Sequence, residues 1–468
     1  MSDVSAAAEW RAELRAASRL AWPLAASQLG LNLLGLVDTF FAGKIDDVTL
    51  ASVSIGNSVF YGTAVLGMGV MMGLDSVASQ AFGAGQDRRS REALWQGVYL
   101  ALALSVPLAL LMLGVTLALP VIGVVPELAD GTSDYIYGRL PSIVPWLLLM
   151  ACRSYLQAAE LARPVVISTI AANAINFLAD GLLLFGDEAL FALGLPGLGV
   201  PRLGAFGVGL ASTAATLAQW GVLIAAVTMT VVPDGERSFR RLNVELALGV
   251  ARVGVPVALQ LFAEVFVFAL TGVLVGRIGA EVTAAHQVAL TYASLSFALC
   301  LGVGATAAVR VGRAIGARQP GGVRRAGLVT IGLAVGIMTV SALLMIGAGE
   351  FLVRLMIDDD DVVRLATRLL LVAAVFQLVD GIQAVAAGAL RGAGRTRVSL
   401  LANLIGHWLV GLPTGLVLAY VFDLGATGLW WGLTTGLAAV AIALSAQFWI
   451  VSSPEGYPGG GCDSSHAE

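Results

Sequence analysis

Five carboxylates stand inside stretches of chain that are otherwise apolar: Asp38, Asp75, Asp180, Glu264 and Asp380. A central Asp in hydrocarbon costs roughly 2.5–3.5 kcal/mol on insertion scales, so each such group must face an interior cavity, a partner, or a bound cation or proton. Asp38 and Asp180 lie about five or six residues before the ends of their stretches, which at 1.5 Å per residue gives them similar depth. Asn176 is one helical turn before Asp180 and on the same face, where its amide can serve the same ion. Glu264 and Asp380 fall nearer the middle of their stretches and form a second candidate pair. Asp75 lies close to the Gly83–Arg91 loop, where a structural role is expected.

The stretches that hold these acids define the fold. Of 468 residues, 58% are hydrophobic and 12% charged, and the mean hydropathy is +0.86. That excludes an ordinary water-soluble domain. About 20 apolar residues make one membrane-spanning helix, and runs of that kind fall near 20–42, 50–79, 94–119, 135–158, 164–186, 206–231, 247–276, 281–308, 323–347, 363–391, 397–421 and 425–450. They lack the alternating polarity of membrane barrels. The expected architecture is all-α and integral to the membrane: twelve spans in two six-helix lobes, 20–231 and 247–450, joined by a cytoplasmic linker at 232–246. Residues 1–19, with Arg11, Arg15 and Arg19 at four-residue spacing, read as an amphipathic helix on the membrane surface. Residues 451–468 read as a disordered cytoplasmic tail.

Arginines gather in alternate loops: Arg88, Arg89 and Arg91; Arg237, Arg240 and Arg241; Arg310 to Arg325; Arg391, Arg395 and Arg397. The positive-inside bias puts those loops and both termini in the cytoplasm, as in a bacterial plasma membrane protein. The acidic run Asp358–Asp361 then reads as a solvated outer loop. Cys152, Cys300 and Cys462 have no knuckle or redox spacing, His286, His407 and His466 form no metal cluster, and the single Lys44 is not in a Walker loop. No metal, cofactor, nucleic acid or enzymatic chemistry is expected.

The halves match at one ungapped offset of 233: Pro23 with Pro256, Gly43 with Gly276, Ala51 with Ala284, Gly83 with Gly316 and Ala84 with Ala317. An even number of spans per half makes these parallel repeats about an axis along the membrane normal, an arrangement suited to alternating access. The spans hold few basic residues, and the two candidates, Arg153 and Arg252, lie near cytoplasmic ends, which favours a cationic passenger over an anionic one. Phe60, Tyr61, Met68, Phe262, Phe266, Gln287, Tyr292, Phe297 and Phe376 are candidate cavity residues, the aromatic ones by stacking and cation–π contact.

With these residues in place, the chain resembles the multidrug and toxic compound extrusion (MATE) transporters, in their NorM-like bacterial branch, over roughly residues 18–450. The segments that carry the likeness are Pro23–Gly43, ending "LVDTFFAG"; Gly73–Gly85; Asn173–Gly186, "NAINFLADGLLLFG"; Gly254–Gly316, with "FAEVFVFAL" and "AAHQVAL"; and Val379–Gly394. The resemblance implies an antiporter that expels organic cations in exchange for Na⁺ or H⁺. It places Asp38, Asn176, Asp180 and, on span 6, Thr213 in a first-lobe cation site, and Glu264 and Asp380 in a second. Phe376 departs from the pattern, standing where relatives carry a tyrosine. A monomer among membrane lipids is expected, since one chain supplies both lobes. The rival readings are a lipid-linked oligosaccharide flippase, which needs arginines in the cavity, and an intramembrane aspartyl protease, whose Gly-x-Gly-Asp motif is absent.

Overall fold

A computed structural model describes residues 2–192, 194, 196–230 and 240–453; Arg237, Cys462, His466 and the tail beyond 453 lie outside the described residues. Twelve helices are long and apolar enough to cross a membrane, spans 1 to 12 in chain order. They are Ala7–Ala42, Asp47–Gly83, Asp87–Ala118, Pro126–Ala158, Ala162–Phe185, Gly204–Met229, Val244–Gly276, Ala280–Gly316, Pro320–Gly347, Asp360–Gly392, Thr396–Tyr420 and Gly425–Val451. Short helices Asp187–Ala192 and Gly349–Arg354 follow spans 5 and 9.

Local chemistry sets where these helices begin and bend. The Asp46 carboxylate accepts from the Thr49 N–H at 2.6 Å and starts span 2, and Asp359 caps span 10 by accepting from Asp361 and Val362. The acidic run therefore builds a helix start, with Asp360 and Asp361 paired to Arg354 and Arg364. Span 4 carries a 3₁₀ turn at Leu140–Ser142, where Pro141 has no N–H to give. Span 11 opens into a π-helical turn at Ile405–Gly411.

One expectation needs correction at the N-terminus. The helix does not break near residue 19 but runs unbroken as Ser2–Ala42, so the amphipathic segment extends span 1. No helix breaker separates Arg19 from Pro23, and Glu9 and Glu13 find Arg325 and Arg310, each at 2.6 Å.

The helices form two compact units. One comprises Ala26–Leu74 and Asp87–Arg252, and is called here the first unit; the second comprises Met1–Ala25, Asp75–Gln86 and Val253–Glu468, within the described residues. The units thus cut the chain differently from the repeat. Within the second unit, Asp75 pairs with Arg391 at 3.3 Å. Gln80 donates to the Gly392 carbonyl at 2.9 Å. A Cβ on Gly316 would stand 1.9 Å from the Gln80 carbonyl oxygen, so that helix crossing is backbone to backbone. Asp75 has the structural place expected for it.

Candidate functional site

In the first unit, spans 1 and 5 lie side by side in a register fixed by polar contacts. Ser27 meets Thr169 at 2.8 Å and Asn173 donates to the Gly30 carbonyl at 2.9 Å. That register brings Asp38 against Asn176, whose Nδ2 donates to Asp38 Oδ1 at 2.9 Å. Span 6 supplies Ser212, whose hydroxyl donates to Asp38 Oδ2 at 2.7 Å, and span 4 supplies the Tyr135 hydroxyl at 3.5 Å. Spans 4 and 6 can approach this closely because a Cβ on Gly209 would stand 2.2 Å from the Tyr135 carbonyl oxygen.

Asp180 completes the cluster. It is fully buried, and among the described residues neither carboxyl oxygen accepts from an N–H or hydroxyl donor; the Oδ1 of Asn176 is likewise unpartnered there. The charged groups that act on Asp180 are Asp38, an acceptor like itself, and Arg139. Two facing carboxyls cannot both be ionised and left alone, so a proton or a cation must share them. The free oxygens of Asp180 and Asn176 beside Asp38 form an all-oxygen donor set of the kind a hard cation accepts.

Thr213, assigned to this site by resemblance, turns its hydroxyl to the Gly138 carbonyl at 2.8 Å, while its neighbour Ser212 takes the place on Asp38. Tyr135 and Arg139 were also missed. Arg139 corrects the reading of basic residues: it is 3% exposed, with its guanidinium carbon 4.2 Å from the centroid of the Phe60 ring. It lies one turn after Tyr135 on span 4 and was legible as a charge inside an apolar run. Arg153, by contrast, bonds Gln28, and Arg252 is exposed. A fixed positive charge therefore does stand beside the acids, and the cluster with both acids ionised carries one net negative charge rather than two.

The second unit holds the other acids. Asn403 Nδ2 donates to Glu264 Oε2 at 3.3 Å, and Gln383 also bonds this carboxyl. Asp380 is 4% exposed and has Glu264 as its charged neighbour. Phe376, one turn before Asp380, is buried edge-on to Phe268 at 6.0 Å and to Trp430 at 5.7 Å, so no hydroxyl comes from that position. Sequence reasoning paired the acids but missed Gln383, on the span of Asp380, and Asn403, on span 11.

The candidate cavity residues do not form one group. Phe60 and Tyr61 meet each other and Trp146 edge-on near Arg139. Met68 lies two turns further along span 2 and is half-buried, as is Phe297. Phe262 stacks on Phe266, which stacks on Trp408, and both phenylalanines are about half exposed. Each is two residues from Glu264, which puts them on the opposite face of span 7. Gln287 is exposed, and the Tyr292 hydroxyl is taken by the Leu352 carbonyl at 2.6 Å.

Among the described residues, twelve apolar helices with buried carboxyls in each of two units define a multi-pass helical membrane protein with the features of a transporter. Comparison with known proteins makes this particular. The MatE family model matches residues 23–181 and again 256–417, and the two starts differ by 256 − 23 = 233, the offset of the repeat. The chain is 32% identical over 455 residues to the probable multidrug resistance protein NorM of Mesorhizobium japonicum, covering 94% of each. It is 35% identical over 445 residues to the probable multidrug resistance protein NorM of Burkholderia mallei, covering 92% of this chain and 91% of that one. Among solved structures, an outward-facing multidrug resistance MATE family transporter of the MOP superfamily superposes with a TM-score of 0.84 at 18% identity, covering 94% of this chain and 96% of that one. The chain belongs to the MatE family.

Proposed function

We propose that this protein is a secondary multidrug efflux antiporter that exports organic cations in exchange for Na⁺ or H⁺. The observation that carries the reading is Asp180: a fully buried carboxyl with no donor on either oxygen among the described residues, facing Asp38. A site of that kind is incomplete until a small cation or proton enters, and a bound cation biases the conformational equilibrium only through unequal affinity for the two states. The NorM relatives support drug as the counter-cargo. The Glu264–Asp380 pair is read as a proton site, because two neighbouring carboxyls readily share a proton and position 376 offers no hydroxyl.

The arginine-rich loops support cytoplasmic termini in a bacterial inner membrane, and one chain carrying both units supports a monomer among lipids. Ion entry down an inward-negative potential supplies about 2.3 kcal/mol per charge per 100 mV. The flippase reading gains one buried arginine from Arg139, but that charge is already opposed by Asp38 and Asp180. Efflux of ethidium from cells carrying Asp38→Asn tests the proposal: energised efflux should disappear with expression intact, and unchanged efflux removes Asp38 from the mechanism.

A further inference from the structure

His407 is 1% exposed within span 11, yet neither ring nitrogen has a partner among the described residues. Each buried donor or acceptor left unmade costs about 1–3 kcal/mol, so a histidine kept for packing is expected to be tied down on at least one side. His286 shows the tied arrangement: it is 3% exposed and its Nδ1 accepts from Trp430 Nε1 at 3.1 Å. His407 also sits on the π-helical turn Ile405–Gly411, a form that is rare and concentrates at functional sites. Span 12 holds that turn in place, since a Cβ on Gly406 would stand 2.3 Å from Val440 Cγ2 and 2.8 Å from the Gly436 carbonyl oxygen.

The position of His407 gives it something to do. Spans 7, 10 and 11 present two tiers. The first holds Glu264, Asp380 and Asn403, joined by the Asn403–Glu264 bond. One turn on, toward the 276–280 and 420–425 connections, the second holds Phe268, Phe376 and His407. The Phe268 ring lies 6.5 Å from His407 and 6.0 Å from Phe376. Four residues of helix separate the tiers by about 6 Å, a gap that one water or a turn of the ring can bridge. Of the second tier, His407 alone can bind a proton. On the spans that carry the two tiers the ionisable residues nearest in sequence to the tier are Glu264 on span 7 and Asp380 on span 10; His286 on span 8 meets Trp430, which meets Phe376, span 12 carries none, and on span 11 Arg397 and Tyr420 stand at the far ends.

We propose that His407 is the proton-transfer residue of this unit, linking the Glu264–Asp380 pair to the side of the second tier. This rests on the reading of that pair as a proton site. A proton from water beyond the tier forms an N–H on one ring nitrogen, leaving an imidazolium. The N–H on the other nitrogen then breaks as an O–H forms on a carboxylate of the pair, and neutral imidazole is restored. A proton that enters at one nitrogen and leaves from the other needs both without fixed partners.

The test is ethidium transport by purified protein in liposomes, driven separately by a pH gradient and by a Na⁺ gradient, with ethidium binding measured in detergent. His407→Gln keeps polarity and His407→Phe matches the neighbouring rings, so the packing is preserved in at least one variant. Both should bind ethidium as the parent does and lose pH-driven transport on the order of 10²-fold, with the external-pH dependence of the remaining rate flattened. Parental pH-driven rates and profile in either folded variant overturn the role of His407 while leaving the efflux reading intact. Transport by the parent under Na⁺ alone overturns it through the proton site. No ethidium movement by the parent under either gradient overturns the efflux reading and, with it, this one.

Discussion

Replacing Asp180 by Asn should make the protein more stable and useless at once. The substitution keeps shape but puts an Nδ2–H donor where the structure has an acceptor facing Asp38. A hydrogen bond to a charged group contributes about 1.5–3 kcal/mol. Two ionised carboxylates at 4 Å repel by about 4 kcal/mol at an effective dielectric of 20, though the parent avoids most of this by taking up a cation. The expected net gain without coupling cation is therefore about 2 kcal/mol. The parent should gain stability when Na⁺ or protons are supplied, by about 2.7 kcal/mol at a hundred times the dissociation constant. The variant should gain almost nothing. Thermal unfolding in detergent, followed through the fluorescence of the nine tryptophans, measures both, and ethidium efflux from cells should fall to the level of the empty vector. If Asp180→Asn melts lower than the parent, or still responds to the cation as the parent does, then Asp180 is not an unsatisfied partner waiting for one.

Three further outcomes follow from contacts elsewhere. Ser212→Ala removes the 2.7 Å donor on Asp38 and should raise the cation concentration needed for half-maximal thermal stabilisation about 5- to 30-fold, for a loss of roughly 1–2 kcal/mol; Thr213→Ala, whose hydroxyl is spent on Gly138, should change that concentration much less. Arg391→Met removes the guanidinium beside buried Asp75 and should cost about 3–5 kcal/mol in detergent unfolding, whereas Asp75→Leu with Arg391→Met should recover most of it. Asp187, after span 5, is held below the usual carboxylate range by the N–H groups of Val200, Gly199 and Leu198. A lowered carboxyl stabilises above its unfolded value and loses that contribution as pH falls through its folded one. Amide exchange at residues 198–200 should thus rise in Asp187→Ala at neutral pH, and in the parent only on acidification below the ordinary carboxylate range.

The helices were legible because hydrocarbon demands long apolar runs, and twelve of them recur between polar breaks. Their starts were less so: span 4 begins at Pro126 rather than near 135, since Glu127, Asp130 and Asp134 lower its hydropathy without breaking the helix. The acids announced themselves by cost, and so did Asn176, one turn from Asp180. Ser212, Asn403 and Gln383 did not, because a neutral polar residue in a span is commonplace until its partner is known. Arg139 could have been found by the same reasoning of cost that found the acids. The pairing of Asp75 with Arg391 needs a contact across 316 residues, which periodicity within a helix cannot reveal.

The repeat explains the scaffold better than the chemistry. Shifted by 233, Asp38 falls on Thr271 and Glu264 falls on Leu31, so neither acid has an acidic counterpart in the other half. Glu264 instead stands seven residues before the Asp38-equivalent position, about two turns earlier along its helix. The surroundings differ in kind as well. The first cluster gives Asp38 two hydroxyls and an amide and opposes its acids with a guanidinium. The second gives Glu264 two amides, encloses the pair with aromatic rings and a histidine, and supplies no positive charge within the tier. The two acid clusters are thus built from different neighbours on matching helices, a difference that the 233-residue repeat alone does not contain.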